Sequence, residues 1–199
     1  MLTTAALLPD LLFPFFLSLG LEQLAVGHGD TALTALVFPS YPYTHSLAAG
    51  IGWAAVLAAL YWLRTRHERG ALVLSLAVLS HWVLDAITHR PDMPLYAGGP
   101  VVGLGLWDSA LGTVVIEGGL FVAAIWAYSS ATRASDRTGR WAFVAFIAFL
   151  ALLYWKFVAG PAPHSVKMFA WVGLASWLFP LWAWWIDRHR TMAEESNLP

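Results

Sequence analysis

A chain of 199 residues that is 59% apolar and 12% charged, with a formal net charge of -1, is too apolar for an ordinary soluble domain. It also has no basic excess to recommend nucleic acid as a partner. The mean hydropathy of +0.63 points to an integral membrane protein. Cysteine is absent, which excludes disulfides, thiolate ligands and a cysteine nucleophile, so any metal must be held by His, Asp or Glu.

Six stretches approach the roughly 20 residues needed to cross a hydrocarbon core; they run over 3–25, 44–63, 70–89, 107–131, 141–160 and 166–186. The expected fold is therefore all-α, a polytopic transmembrane bundle of about six spanning helices in one domain over 1–199. The start, Met1-Leu2-Thr3-Thr4-Ala5-Ala6, lacks a basic region, so the first stretch reads as a retained helix rather than a removed signal. Pro9 and Pro14 flank Asp10 within it and predict a break or kink, because each removes an amide donor and crowds the preceding turn. From Gly27-His28-Gly29-Asp30 to Tyr41-Pro42-Tyr43 the chain predicts a long loop able to fold back over the bundle as a partial lid.

The third stretch carries Ser80-His81-Trp82-Val83-Leu84-Asp85-Ala86-Ile87-Thr88-His89. A spacing of four turns successive side chains by about 40° and raises them by about 6 Å, so His81, Asp85 and His89 form a polar ladder on one helix face. Ionisable groups at membrane depth cost roughly 2.5–3.5 kcal/mol each on insertion scales, and such a ladder points to a functional site. The prolines and glycines of Arg90-Pro91-Asp92-Met93-Pro94-Leu95-Tyr96-Ala97-Gly98-Gly99-Pro100 then fix turns rather than continue a helix. Arg64, Arg66 and Arg69, then Arg133, Arg137 and Arg140, then Arg188 and Arg190 fall on one side of a six-span topology, which predicts cytoplasmic termini. Most of the 12 tryptophans, including Trp177, Trp182, Trp184 and Trp185, read as interfacial belts. Lys156 lies near an outer end among six rather than seven helices, which argues against a Schiff-base pigment.

On the outer side that topology gathers Glu22, His45, Asp108 and Glu117 with the ladder of the third helix. A sulfur-free set of carboxylates and imidazoles suits a divalent metal, Zn²⁺ first, with Mn²⁺ or Fe²⁺ also fitting. Glu22 and Glu117 are the candidate catalytic bases, Glu117 the better of the two, and either can instead be a supporting group or a plain partner of a histidine. His89 beside Arg90 and Pro91 is a helix-end cap or an alternative ligand, and Asp108 after Trp107 is an N-cap or a supporting group. The same topology puts Asp10 toward the cytoplasmic half and His45 at the outer rim, so the two share a site only if the first segment is broken.

Leu8-Pro9-Asp10, Tyr43-Thr44-His45-Ser46, and Ser80-His81-Trp82-Val83-Leu84-Asp85 with Thr88-His89-Arg90-Pro91-Asp92 resemble, in order and spacing, a bacterial inner-membrane family of membrane-bound metal-dependent hydrolases. The likeness covers roughly residues 5–110, and Gly103-Leu104-Gly105-Leu106-Trp107-Asp108 and Trp184-Trp185-Ile186-Asp187-Arg188-His189-Arg190 look like a closer subgroup. It implies Asp10, His45, His81 and Asp85 as metal ligands. It also implies a further His upstream of the Pro-Asp element, where residues 1–8 contain none.

The functional expectation is a hydrolase in which metal-activated water attacks a lipid or lipid-linked ester or phosphodiester. Its alternatives are a non-catalytic subunit meeting protein partners through Trp-rich faces, with the ladder as internal glue, and a metal or proton transporter using the ladder as a relay.

Overall fold

The computed structural model describes every residue except 28–30, 32, 34, 35, 162 and 194–199, so His28, Gly29 and Asp30 of the expected lid lie outside the described residues. As the prolines predict, the first apolar stretch is divided into α1 (Leu2–Ala6) and α2 (Leu8–Ser18). Pro9 sits in the first turn of α2, where an amide has no intrahelical partner to lose, while Pro14 is internal. The 11 residues of α2 rise only about 16 Å. Among the described residues, five segments are long and apolar enough to cross a membrane: Leu47–Thr65, Glu68–Thr88, Ala110–Ala131, Arg137–Ala159 and Val166–Asp187. The expected span over 3–25 is the exception, because it is split at Leu7 and its last residues leave the helix for a strand.

That strand, β1 (Gln23–Val26), pairs antiparallel with β2 (Leu36–Ser40), Val26 opposite Leu36. Leu36–Ser40 of the expected lid is thus a paired strand. Leu24, Leu36 and Phe38 pack against Phe13, Tyr41 and Met93, which anchors it. Then come α3 (Pro42–His45) and α4 (Leu47–Thr65), separated by Ser46, whose hydroxyl accepts the Ala49 amide and caps α4. A short turn through Arg66 leads to α5 (Glu68–Thr88), capped by His67 Nδ1 accepting the Gly70 amide. The small side chains of Ala5 and Ala54 meet Leu74 and Val78 in one core cluster, bringing α1 and α4 close to α5.

After α5, β3 (Met93–Pro94) pairs with β4 (Val101–Val102), and a 3₁₀ turn spans Leu106–Asp108. The remaining elements are α6 (Ala110–Ala131), β5 (Thr132–Ala134), α7 (Arg137–Ala159), α8 (Val166–Ala175), α9 (Leu178–Asp187) and β6 (Arg190–Met192). The chain forms two compact units, Met1–Ser109 with Ala162–Trp177, and Ala110–Pro161 with Leu178–Pro199. In the first, α8 packs on α2, where the Trp177 indole donates to the Leu11 carbonyl at 3.0 Å and Phe169 meets Phe13 edge-on.

In the second unit, β5 pairs antiparallel with β6 beside a polar corner. Asp136 caps α7 by accepting the Gly139 amide at 2.7 Å and pairs with His189 Nδ1 at 2.7 Å. The Gly139 amide, then the His189 hydrogen bond, hold the Asp136 carboxyl below its ordinary value. A depressed carboxyl contributes stability that is present above its unfolded value of 3.8 and lost as pH falls through the folded value. Asp136→Asn, which keeps a cap but loses the charge, should unfold at a lower temperature than wild type near neutral pH, with the gap closing on acidification. A detergent thermal-unfolding series against pH measures this.

Candidate functional site

The residues implied as ligands meet in the first unit. His81 and Asp85 lie one turn apart on α5, His45 ends α3, and Asp10 stands in the first turn of α2. His45 Nε2 is 3.3 Å from Asp10 Oδ1 and 3.9 Å from Asp85 Oδ2. His81 Nε2 is 3.2 Å from Asp85 Oδ2 and 3.7 Å from Asp10 Oδ1. Ligand atoms of Asp10, His45 and His81 lie within 4.8 Å of one another. The expected separation in depth between Asp10 and His45 is corrected by two local features. The break at Leu7 lets α1 run along α5 so that the Ala6 carbonyl lies 2.9 Å from His81 Nδ1, and Asp10, one turn further on, reaches the level of that imidazole. The separate turn α3 then presents His45 ahead of α4 rather than on it.

Proton placement in the site follows from the partners. The Ala6 carbonyl can only accept, so His81 donates from Nδ1 and turns Nε2 to the carboxylates of Asp85 and Asp10. At His45, Nδ1 lies 2.7 Å from Thr44 Oγ1, whose single proton goes to Glu22 Oε2 at 2.8 Å. The Thr44 oxygen therefore accepts from His45 Nδ1, while Nε2 of His45 is hydrogen-bonded to Asp10 Oδ1 at 3.3 Å. Two imidazole nitrogens and two carboxylates thus face one another across a few ångströms. His81 Nε2 and Asp85 Oδ2 are buried with no hydrogen-bond partner, since their 3.2 Å approach lacks hydrogen-bonding geometry. Asp85 is 18% exposed and Asp10 55%, so the cluster opens on the Asp10 side.

The other expected site residues lie elsewhere. Glu22 is buried, with Oε1 accepting the amides of Tyr43 and Thr44 at 2.9 Å each and Oε2 taking the Thr44 hydroxyl. It touches His45 only through Thr44, so its carboxylate holds α3 instead of facing the cluster as a base. His89 caps the end of α5, with Nδ1 3.0 Å from Asp92 Oδ1 and its ring 4.4 Å from that of Trp107. Asp108 closes the 3₁₀ turn, exposed, and is not an N-cap of α6. Glu117 belongs to the second unit, where it lines a cavity of about 350 Å³ with Gly118, Phe121, Leu150, Ala151 and Tyr154.

Sequence reasoning missed Thr44, Tyr41 and Asp92. The Tyr41 hydroxyl donates to Asp92 Oδ1 at 2.9 Å, and the Tyr41 ring lies 5.4 Å from that of His45. Burial, then the Asp92 charge, pushes the Tyr41 phenol above its ordinary range, so it stays a donor. Burial alone would raise the Asp92 carboxyl, but hydrogen bonds from His89, Tyr41 and Arg90 outweigh it and hold that carboxyl low. The Thr44-His45-Ser46 motif was the available signal, for its three residues divide the work among them. Thr44 orients, His45 joins the cluster, and Ser46 caps α4.

Fold and site together define a polytopic helical membrane protein with a His and Asp cluster, open on the Asp10 side, in its first unit. Residues 1–162 match the model of the YdjM inner membrane protein family, and the chain belongs to that family. It is thus a bacterial inner-membrane protein whose spanning helices contact lipid. No curated protein and no solved structure matches the chain.

Proposed function

We propose that this protein is a membrane-embedded metal-dependent hydrolase acting on a lipid or lipid-linked ester or phosphodiester. The observation that carries the reading is the meeting of two imidazole nitrogens and two carboxylates in one small volume, two of whose atoms are buried without a hydrogen bond. Buried polar atoms left unpaired cost about 1–3 kcal/mol each, and one small cation satisfies all four groups at once. Protons on both imidazoles would leave His81 Nε2 and Asp85 Oδ2 unsatisfied in this geometry. The sulfur-free donor set fits Zn²⁺, with Mn²⁺ or Fe²⁺ as alternatives.

His45, His81 and the buried carboxylate of Asp85 would hold the ion. When bound, it polarises a carbonyl or phosphoryl oxygen and brings the pKa of water toward about 7. Asp10, the more exposed carboxylate, stands at the open side, where it receives the proton of an attacking water. His81 lies seven residues, about 10 Å along the axis, before the end of α5, within membrane depth. A scissile bond that reaches it belongs to a lipid or a lipid-linked group. With Arg64, Arg66 and Arg69 in the cytoplasm, this end of α5 faces the opposite side of the membrane.

Elemental mass spectrometry of the detergent-purified protein tests the reading. Close to one equivalent of Zn, Mn or Fe, lost in His81→Ala and Asp85→Ala, is expected. No metal in wild type even after supplementation would overturn it, leaving the cluster as polar glue within an accessory membrane subunit.

A further inference from the structure

We infer that Glu22 and Thr44 form a positioning relay that holds the proton of neutral His45 on Nδ1 and turns its Nε2 toward Asp10, 3.3 Å away, and toward His81 and Asp85. Glu22, Thr44 and His45 are 2%, 0% and 7% exposed respectively, so water does not compete for their hydrogen bonds. Glu22 spends one oxygen on the amides of Tyr43 and Thr44, which ties the start of α3 to the chain just before β1. The other oxygen takes the only proton Thr44 can give. With that proton committed, the Thr44 oxygen has only lone pairs for His45, 2.7 Å away. A carboxylate thus dictates, through one hydroxyl, which imidazole nitrogen carries hydrogen. Direct carboxylate contact would do the same for a histidine, but the interposed threonine keeps the negative charge of Glu22 one group removed from a cluster already rich in carboxylate.

The tautomer stands independently of the metal, whereas its effect on metal affinity rests on the hydrolase reading. Glu22 is accordingly a positioning residue for His45, and so is Thr44. Thr44→Val removes the hydroxyl but leaves both amide bonds to Glu22, so it separates tautomer control from the anchoring of α3. Thr44→Ser restores the hydroxyl.

The experiment is nitrogen-15 NMR of histidine-labelled, metal-free protein in detergent at mildly alkaline pH, paired with zinc affinity measured by chelator competition. In wild type and Thr44→Ser, His45 should show a protonated Nδ1 and a bare Nε2. Thr44→Val should show a mixture of tautomers and bind zinc about 10–100-fold more weakly. Should Thr44→Val fail to fold, Glu22→Gln gives the same test, because its amide donates to the Thr44 oxygen and competes with His45. A wild-type His45 protonated on Nε2, or a folded variant with an unchanged tautomer signal, would overturn the relay. Failure of wild type to bind zinc overturns the hydrolase reading alone, since the tautomer signals are recorded without metal.

Discussion

Asp85→Asn is expected to leave the stability of the metal-free protein nearly unchanged while abolishing the stabilisation that added metal gives wild type. Without a cation, Asp85 Oδ2 and His81 Nε2 stand 3.2 Å apart as two acceptors, neither with a hydrogen bond. The asparagine amide has the same shape and gives up no hydrogen bond at that atom, so the metal-free fold loses little. In wild type, free metal at about 100 times its dissociation constant adds roughly 2.7 kcal/mol. The variant, short of a ligand, forgoes most of it. Thermal unfolding of both proteins with chelator and with zinc gives the four values needed. If the cluster were instead a buried ion pair between His81 and Asp85, removing one charge would cost about 3–5 kcal/mol with or without metal. The two readings therefore part by about 3–5 kcal/mol in the presence of chelator, and a strongly destabilised metal-free variant would sink the metal centre.

The ladder of His81 and Asp85 was legible in the sequence because a spacing of four within one helix fixes a shared face whatever the rest of the fold does. Asp10 and His45 were legible only as motif elements, since their meeting depends on a helix break at Leu7 and on a separate turn over Pro42–His45. Hydropathy merges both into longer spans. It likewise absorbed Gln23–Val26 into the first span, although the strand is held by pairing with Leu36–Ser40, a contact that periodicity within four or five residues cannot announce. The role of Glu22 stayed open in the sequence for a related reason. A carboxylate near a cavity resembles a base until its partners are known, and here they are the hydroxyl of Thr44 and two amides more than 20 residues away. Asp108 and Glu117 shared only an expected membrane side with the ladder, and a common side is a weaker constraint than a common cluster.

Gly103→Ala should cost far more than Gly105→Ala, although only Gly105 has a left-handed backbone, at φ +71°. After α5 ends, the chain returns across its last turn. The Leu104 amide donates to the Ala86 carbonyl at 2.8 Å, and the Gly105 amide to the His89 carbonyl at 2.7 Å. A methyl on Gly103 would overlap the Arg90 carbonyl, and backbone opposes backbone there, so neither side can rotate away. The alanine must push the return segment off α5 and break both hydrogen bonds, a loss on the order of 3 kcal/mol or more. At Gly105 the added methyl meets only the Asp108 carboxylate at 2.9 Å, a side chain that can swing aside. The cost there is the left-handed backbone itself, about 1–2 kcal/mol. Thermal unfolding of the two variants ranks them, and equal losses would contradict this account of how α5 ends. The return segment carries Trp107 onto the His89 ring, and His89 in turn stacks on Tyr41 beside His45. Gly103→Ala should therefore also loosen the wall of the cluster, whereas Gly105→Ala should leave metal content at the wild-type level.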